Sequence, residues 1–327
     1  MRPAPSPRAR QRRAPTPRAR DGRGVLRRLL RGAPFAAIAV LALPDDVDAW
    51  GAKGHRLAAT AAVGALPEAM PSFFRRAAAQ LAYLNPEPDR WRGRPERDLD
   101  PALDGAFGSD HFLDTELAPP EVFARAMAAP HRYAYADTLR AAGIEAAQMG
   151  FAPFAILELT QRLRQQFRMW RSAPDSATRG WIEARILDDA GILGHYVTDV
   201  ANPAHTTIHF NGWTGPNPNG YATDRAFHGR FETAYVQAHL ELPDVLPRVA
   251  PQPRVLSALR AEILAYLARS HAEVEPLYRL DREDPWGIDT KSPGHRVFAA
   301  ERLAAGATML RDLWWTAWVT SGGGAER

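Results

Sequence analysis

The chain is 327 residues long, carries 41 basic and 37 acidic residues for a formal net charge of +4, and contains no cysteine. The basic excess sits at one end: the first 49 residues hold 11 arginines and 4 aspartates, which leaves 30 basic against 33 acidic residues, net −3, from residue 50 onward. That balance excludes a general basic footprint for nucleic acid on the main domain, short of a local arginine patch, and the missing thiols exclude both a disulfide scaffold and a cysteine zinc site.

Residues 1–49 read as a secretory signal peptide with a long basic leader. Met1 to Gly32 is rich in Arg, Pro and Ala, Ala33 to Leu43 is apolar, and Val47-Asp48-Ala49 ends in the small residues that a signal peptidase reads. The apolar run is too short to span a bilayer, which takes about 20 residues. Arg27-Arg28 adds a twin-arginine reading, and the protein is expected to be exported, to the periplasm or beyond, after cleavage near Ala49. Cleavage would make Trp50 the amino terminus. A free α-amino group is easily deprotonated and, with the carbonyl oxygen of its own residue, closes a five-membered chelate on a metal. His55 stands a few residues on and can complete such a site.

From Trp50 the pattern predicts a single domain over 50–327. Apolar residues return every three or four positions over roughly 52–65, 68–83, 121–128, 134–147, 153–172, 177–200, 224–241, 253–275 and 297–319, which is the period of amphipathic helices. No segment alternates as a strand does, so the fold class is all-α. Pro, Gly and Asp clusters mark 84–110 and 206–223 as irregular. The second loop joins His205 to His228 and is expected to wall the site, with His209, Trp213 and Tyr221 as candidates for touching substrate. Trp314 and Trp318 share one face of the last helix and are expected in the core.

Between Asp188 and Glu232 stand two pairs at i,i+4 spacing, His195/Asp199 and His228/Glu232, with His205 between them. Residues four apart project from one helix face, so each pair aims an imidazole and a carboxylate at one point. One pair alone is commonly a surface ion pair; two pairs flanking Pro203-Ala204-His205 are ligand spacing. Pro203 cannot continue the first helix, and the turn it forces can swing His205 back toward the cluster. Imidazole and carboxylate without thiolate suit zinc in a site that keeps a position open for water or substrate.

Together, Trp50 and His55 after the cleavage motif, Asp110-His111-Phe112, HYVTDVANPAH at 195–205 and HGRFE at 228–232 resemble the zinc-dependent phospholipase C and S1/P1 nuclease superfamily, closer to the phospholipase branch. The resemblance covers residues 50–232 in family order. It implies an all-α multi-helix domain with a trinuclear zinc site: Asp89, His111, His195 and Asp199 for one ion, His205, His228 and Glu232 for a second, and the Trp50 nitrogen and carbonyl with His55 for a third, Asp199 bridging. The upstream carboxylate is assigned to Asp89, with Asp98, Asp100 and Asp104 competing; Asp89 would also serve as general base. Asp110 and Asp114 are expected to orient ligands, and His131, His239, His271 and His295 to be mostly surface or capping residues.

The implied activity is phosphodiester hydrolysis by water activated on the metal, with a phospholipid head-group ester as the first substrate class. Glu232 as the last ligand favours that branch, whereas Ala201 and Ile208 depart from its pattern. A single-strand nuclease or 3′-nucleotidase with nucleic acid as substrate is the alternative, needing a stacking platform such as Trp213 or Tyr221. A non-catalytic helical zinc-binding protein is the third.

Overall fold

The computed structural model describes residues 50–322, with the backbone alone at Asp104 and Ala106. The leader, its cleavage motif and Arg27-Arg28 therefore lie outside the described residues, as does the side chain of Asp104. Every regular element among the described residues is helical, apart from one isolated bridge between Phe210 and Gly212.

Helix α1 (Gly51–Gly64) starts directly after Trp50, and the interval read as one helix over 68–83 is two, α2 (Ser72–Arg76) and α3 (Ala78–Leu84), because Ala77 leaves the helical region at φ −87°, ψ 19°. The 84–110 interval differs from its irregular reading. It folds into α4 (Glu87–Arg90), α5 (Arg94–Leu99) and α6 (Pro101–Gly108), each with a proline in its first two positions. Proline is tolerated there because the first N–H groups of a helix have no partner to lose, so these prolines open short helices instead of breaking a long one. Next come α7 (Pro120–Met127), α8 (Arg132–Ala141) and α9 (Ala146–Met149), then the long α10 (Ala152–Arg171) and α11 (Ser176–Asp199). The single helix read over 224–241 is in fact α12 (Phe227–Gly229), a π-helix at Arg230–Tyr235, and α13 (Val236–His239). The chain closes with α14 (Leu242–Val245), α15 (Leu259–His271), α16 (Val274–Glu283) and α17 (Pro293–Ser321).

Helix α11 is the centre of the packing, with α10, α17, α3 and α1 around it. From Leu193 to Asp199 every residue is buried. A helix without a solvent face must satisfy its polar side chains inside the protein or through a ligand, which makes His195 and Asp199 conspicuous. Trp314 packs on Phe74 in the core, as expected, whereas Trp318 packs on Phe167 at the edge of the core and is only half-buried. Truncating a buried Trp such as Trp314 costs about 3–5 kcal/mol. His131 caps α8 by accepting from the Ala134 N–H, but His295 is fully buried, contrary to a surface role, with Nε2 facing the carbonyls of Leu280 and Asp284. No helix among the described residues is long and apolar enough to cross a membrane.

Candidate metal centre

The last turn of α11 brings His195 and Asp199 to one point, as the spacing predicts: Nε2 of His195 is 3.2 Å from Oδ2 of Asp199. Three other elements close on this pair, two of them on the same carboxylate. His55 on α1 sets Nε2 3.3 Å from Asp199 Oδ1. His111, in a 3₁₀ turn after α6, sets Nδ1 2.9 Å from Asp199 Oδ2 and 3.0 Å from His195 Nε2. Asp89, on the short α4, sets Oδ1 3.5 Å from His195 Nε2 and 3.8 Å from His111 Nδ1. Donors held roughly 2.0–2.1 Å from a tetrahedral ion stand about 3.3 Å apart, so these separations are those of the edges of one coordination shell.

A second group lies alongside. Helix α11 ends at Asp199, Asn202 caps a 3₁₀ turn over Pro203–Thr206 by accepting from the Ala204 N–H, and the turn carries His205 back as its proline requires. The Leu113 N–H donates to the His205 carbonyl at 2.9 Å, hooking this turn to the strand of chain that holds His111. Glu232 meets His228 Nε2 at 2.7 Å and His205 Nε2 at 3.4 Å through Oε2. It does so from the π-helix, not from the α-helix that its spacing implies. Such a bulge re-aims side chains and recurs at functional sites.

The outer nitrogens fix the inner ones. His55 Nδ1 donates to Asn85 Oδ1, His195 Nδ1 to the Asn85 carbonyl, His205 Nδ1 to the His111 carbonyl and His228 Nδ1 to the Phe210 carbonyl, all at 2.9–3.0 Å. A carbonyl can only accept, so each Nδ1 keeps its proton and each Nε2 is the nitrogen turned to the site. The orienting acceptors are thus Asn85 and backbone carbonyls, and not Asp110, whose carboxylate pairs with Arg132 at 3.0 Å.

His55 Nε2, His111 Nε2, Asp199 Oδ1 and Glu232 Oε1 are buried without a hydrogen-bond partner. Asp89, Asp199 and Glu232 are buried carboxylates, and an ion taken out of water costs several kcal/mol unless something compensates it. Burial would raise Asp199 and Glu232, but the surrounding histidines hold Asp199 well below the usual carboxylate range and Glu232 down to about 2. Burial lowers His195 to about 3 against the pull of Asp199. Burial also disfavours charge on His205, yet Asp199 and Glu232 outweigh it and push that imidazole up to about 9. Anionic acids, inward-facing imidazole nitrogens and orphaned inward atoms fit a cation, which would take the place of the proton that Asp199 and Glu232 draw onto His205. Three groups can hold one: His55, His195 and Asp199; Asp89, His111 and His195; and His205, His228 and Glu232, the donor atoms of each lying within 4.8 Å of one another.

Among the competing carboxylates, Asp98 is exposed and paired with Arg94, and Asp100 caps α6 at the Ala102 N–H; neither joins a group. Trp50 is fully buried beside the cluster, its indole N–H donating to the Thr198 carbonyl at 2.7 Å. Its φ of 52° is left-handed, rare for a bulky residue, and turns its backbone nitrogen to 2.9 Å from Glu232 Oε2, while its carbonyl starts α1 by accepting from Gly54.

His111, His205 and His228 also line a cavity of about 350 Å³. Arg92, Phe112, Asp114, Phe210 and Asn211 share its wall. Phe112 and Asp114 flank the ligand His111 in sequence, whereas Arg92, Phe210 and Asn211 belong to no motif. Arg92 stands three residues after Asp89, the one signal in the sequence, and its N–H donates to the Asp89 carbonyl. The 206–223 loop does wall the site, but through Phe210 and Asn211. Its expected contacts face elsewhere: His209 stacks on Trp213 at 3.9 Å, and Trp213 and Tyr221 pack against Tyr278. No family model matches the chain, and no curated protein matches it either.

Proposed function

We propose that the chain is an exported, zinc-dependent phosphodiesterase that hydrolyses a phospholipid head-group ester. The observation that carries this reading is a convergence of buried imidazole and carboxylate donors whose open side shares one cavity with an arginine. Asp89, His111, His195 and Asp199 would hold one ion, His205, His228 and Glu232 a second, and His55, Asp199 and the Trp50 terminus created by cleavage after Ala49 a third. When bound, zinc would supply neutralisation of the phosphodiester, acidification of water toward pH 7 and stabilisation of the departing oxygen.

The protein supplies the rest. Arg92 offers the phosphate a fixed cation with paired donors, which suits a planar or tetrahedral anion better than a flexible ammonium. Asp89, a buried carboxylate in the same group as His111 and His195, takes the proton of the attacking water. Phe112 and Phe210 exclude water from the cavity wall. The lipid assignment draws support from the net −3 charge beyond residue 49 and from exposed Leu103 and Phe107 on α6, which ends at cavity-lining Gly108. A single-strand nuclease is the second reading, favoured by the same Phe112 and Phe210 as stacking surfaces.

Protein beginning at Trp50 and loaded with zinc would be offered phosphatidylcholine vesicles, single-stranded DNA and RNA, and a chromogenic phosphodiester in parallel. Release of phosphorylated head group from vesicles alone is expected. Cleavage confined to nucleic acid would replace the first reading by the second, and a fully loaded protein inert on all three would make it a non-catalytic zinc-binding protein.

A further inference from the structure

We propose that Asn85 is a positioning residue that sets two ligand histidines from one place, His55 through its side chain and His195 through its backbone. The inference rests on the metal reading above and adds a residue outside the donor set. Asn85 sits just past the end of α3, fully buried. Its Oδ1 accepts from His55 Nδ1 and its carbonyl oxygen from His195 Nδ1, both at 2.9 Å. The two imidazoles so held are stacked, with ring centroids 4.2 Å apart and planes 17° from parallel, and each turns Nε2 toward a different oxygen of Asp199.

The packing is built to admit this residue. On α11, a Cβ at Gly191 would fall 2.3 Å from Leu84 Cβ, and one at Gly194 would fall 2.3 Å from Asn85 Nδ2. Both are well inside any tolerated contact, so the two glycines, one helical turn apart, are the gap through which the end of α3 reaches the histidines. Asn85 Nδ2 is itself buried without a hydrogen-bond partner. A buried amide that leaves its donor unsatisfied while its acceptor meets an imidazole is kept for the acceptor. Without it the His55 Nδ1–H would be stranded and the ring free to turn its lone pair away from Asp199.

Because one bond comes from the side chain and the other from the backbone, substitution separates them. Asn85→Leu keeps the shape and the carbonyl to His195 but removes the acceptor for His55; Asn85→Asp keeps an acceptor. Zinc content after dialysis and affinity by chelator competition are the readouts, with near-ultraviolet circular dichroism of the chelated proteins as the folding control. In N85L one ion is expected to bind about 10–100-fold more weakly while the others hold, and N85D is expected to retain the full complement. Gly194→Ala should weaken the same ion as N85L, since the added Cβ would fall on the Asn85 side-chain amide that holds His55. A wild-type affinity in N85L, or an N85D as weak as N85L, overturns the inference and leaves the metal reading standing; a wild-type chain that binds no zinc removes both. A measurement without variants guards against misfolding: in the long-range ¹H–¹⁵N spectrum of the zinc-loaded protein, His55 must carry its proton on Nδ1, and a proton on Nε2 overturns the assignment.

Discussion

The two sides of the centre are built differently. Around Asp199, donors arrive from α1, α4, the turn at His111 and α11, and His55, His195 and Asp199 have no exposed surface at all. Around Glu232, His205 and His228 keep a small exposed edge and line the cavity, which the Asp199 side reaches only through His111. The closed side is shaped to hold a cation; the open side also meets whatever enters. Loss of a donor should therefore cost most on the closed side, where His195 belongs to two of the three groups. His195→Ala is expected to remove two ions and all measurable turnover, and His228→Ala only one ion, as counted by elemental analysis of dialysed protein. Equal losses from the two variants would erase the distinction.

The cavity side can be probed without touching a ligand. Arg92→Ala should leave zinc content unchanged and lower kcat/KM for a phosphodiester by about 10²–10³-fold, the usual cost of removing one preorganised donor from a developing negative charge. Arg92→Lys should recover only part, because the paired guanidinium donors are lost. A drop in bound zinc in either variant would move Arg92 from the substrate to the metals. The smaller test concerns Trp50, whose nitrogen lies beside Glu232. Relative to a chain that starts at Trp50, a chain with added residues ahead of it is expected to lose one ion and part of its activity. Full occupancy and activity in the extended protein would count against the chelate.

What the sequence made legible was whatever the backbone period fixes by itself. His195 and Asp199 meet because residues four apart on any helix do, and His205 returns because Pro203 cannot continue that helix. Glu232 was paired correctly for the wrong local geometry, since a π-helix depends on what packs around Arg230–Tyr235 and not on their propensity. The short helices over 87–108 were hidden by prolines that look like breakers until their position in the first turn is known. Asn85 was invisible for another reason. Its partners stand 30 and 110 residues away, and no local pattern marks an asparagine whose role comes from the approach of α3 to α11.

Asp114 offers the finest test of the difference between the two sides, because it lies on the cavity wall three residues after His111 without belonging to any donor group. Burial, reinforced by Glu116 and opposed by His205, pushes its carboxyl up to about 8. In metal-free protein between the ordinary value of 3.8 and about 8, the folded state keeps a proton that the unfolded state has released. Folding then takes up a proton, so stability falls as pH rises through that window, and the penalty is complete above it. Asp114→Asn has no such proton to hold. The melting temperature of the chelated variant is expected to exceed that of the chelated wild type by several degrees at pH 8, and the gap to close toward pH 4. Zinc should shrink the gap at pH 8, since cations near the cavity favour the ionised carboxylate. Melting curves that stay parallel from pH 4 to 8 would mean that Asp114 is ionised throughout, and the open side would then be as polar before metal binds as after it.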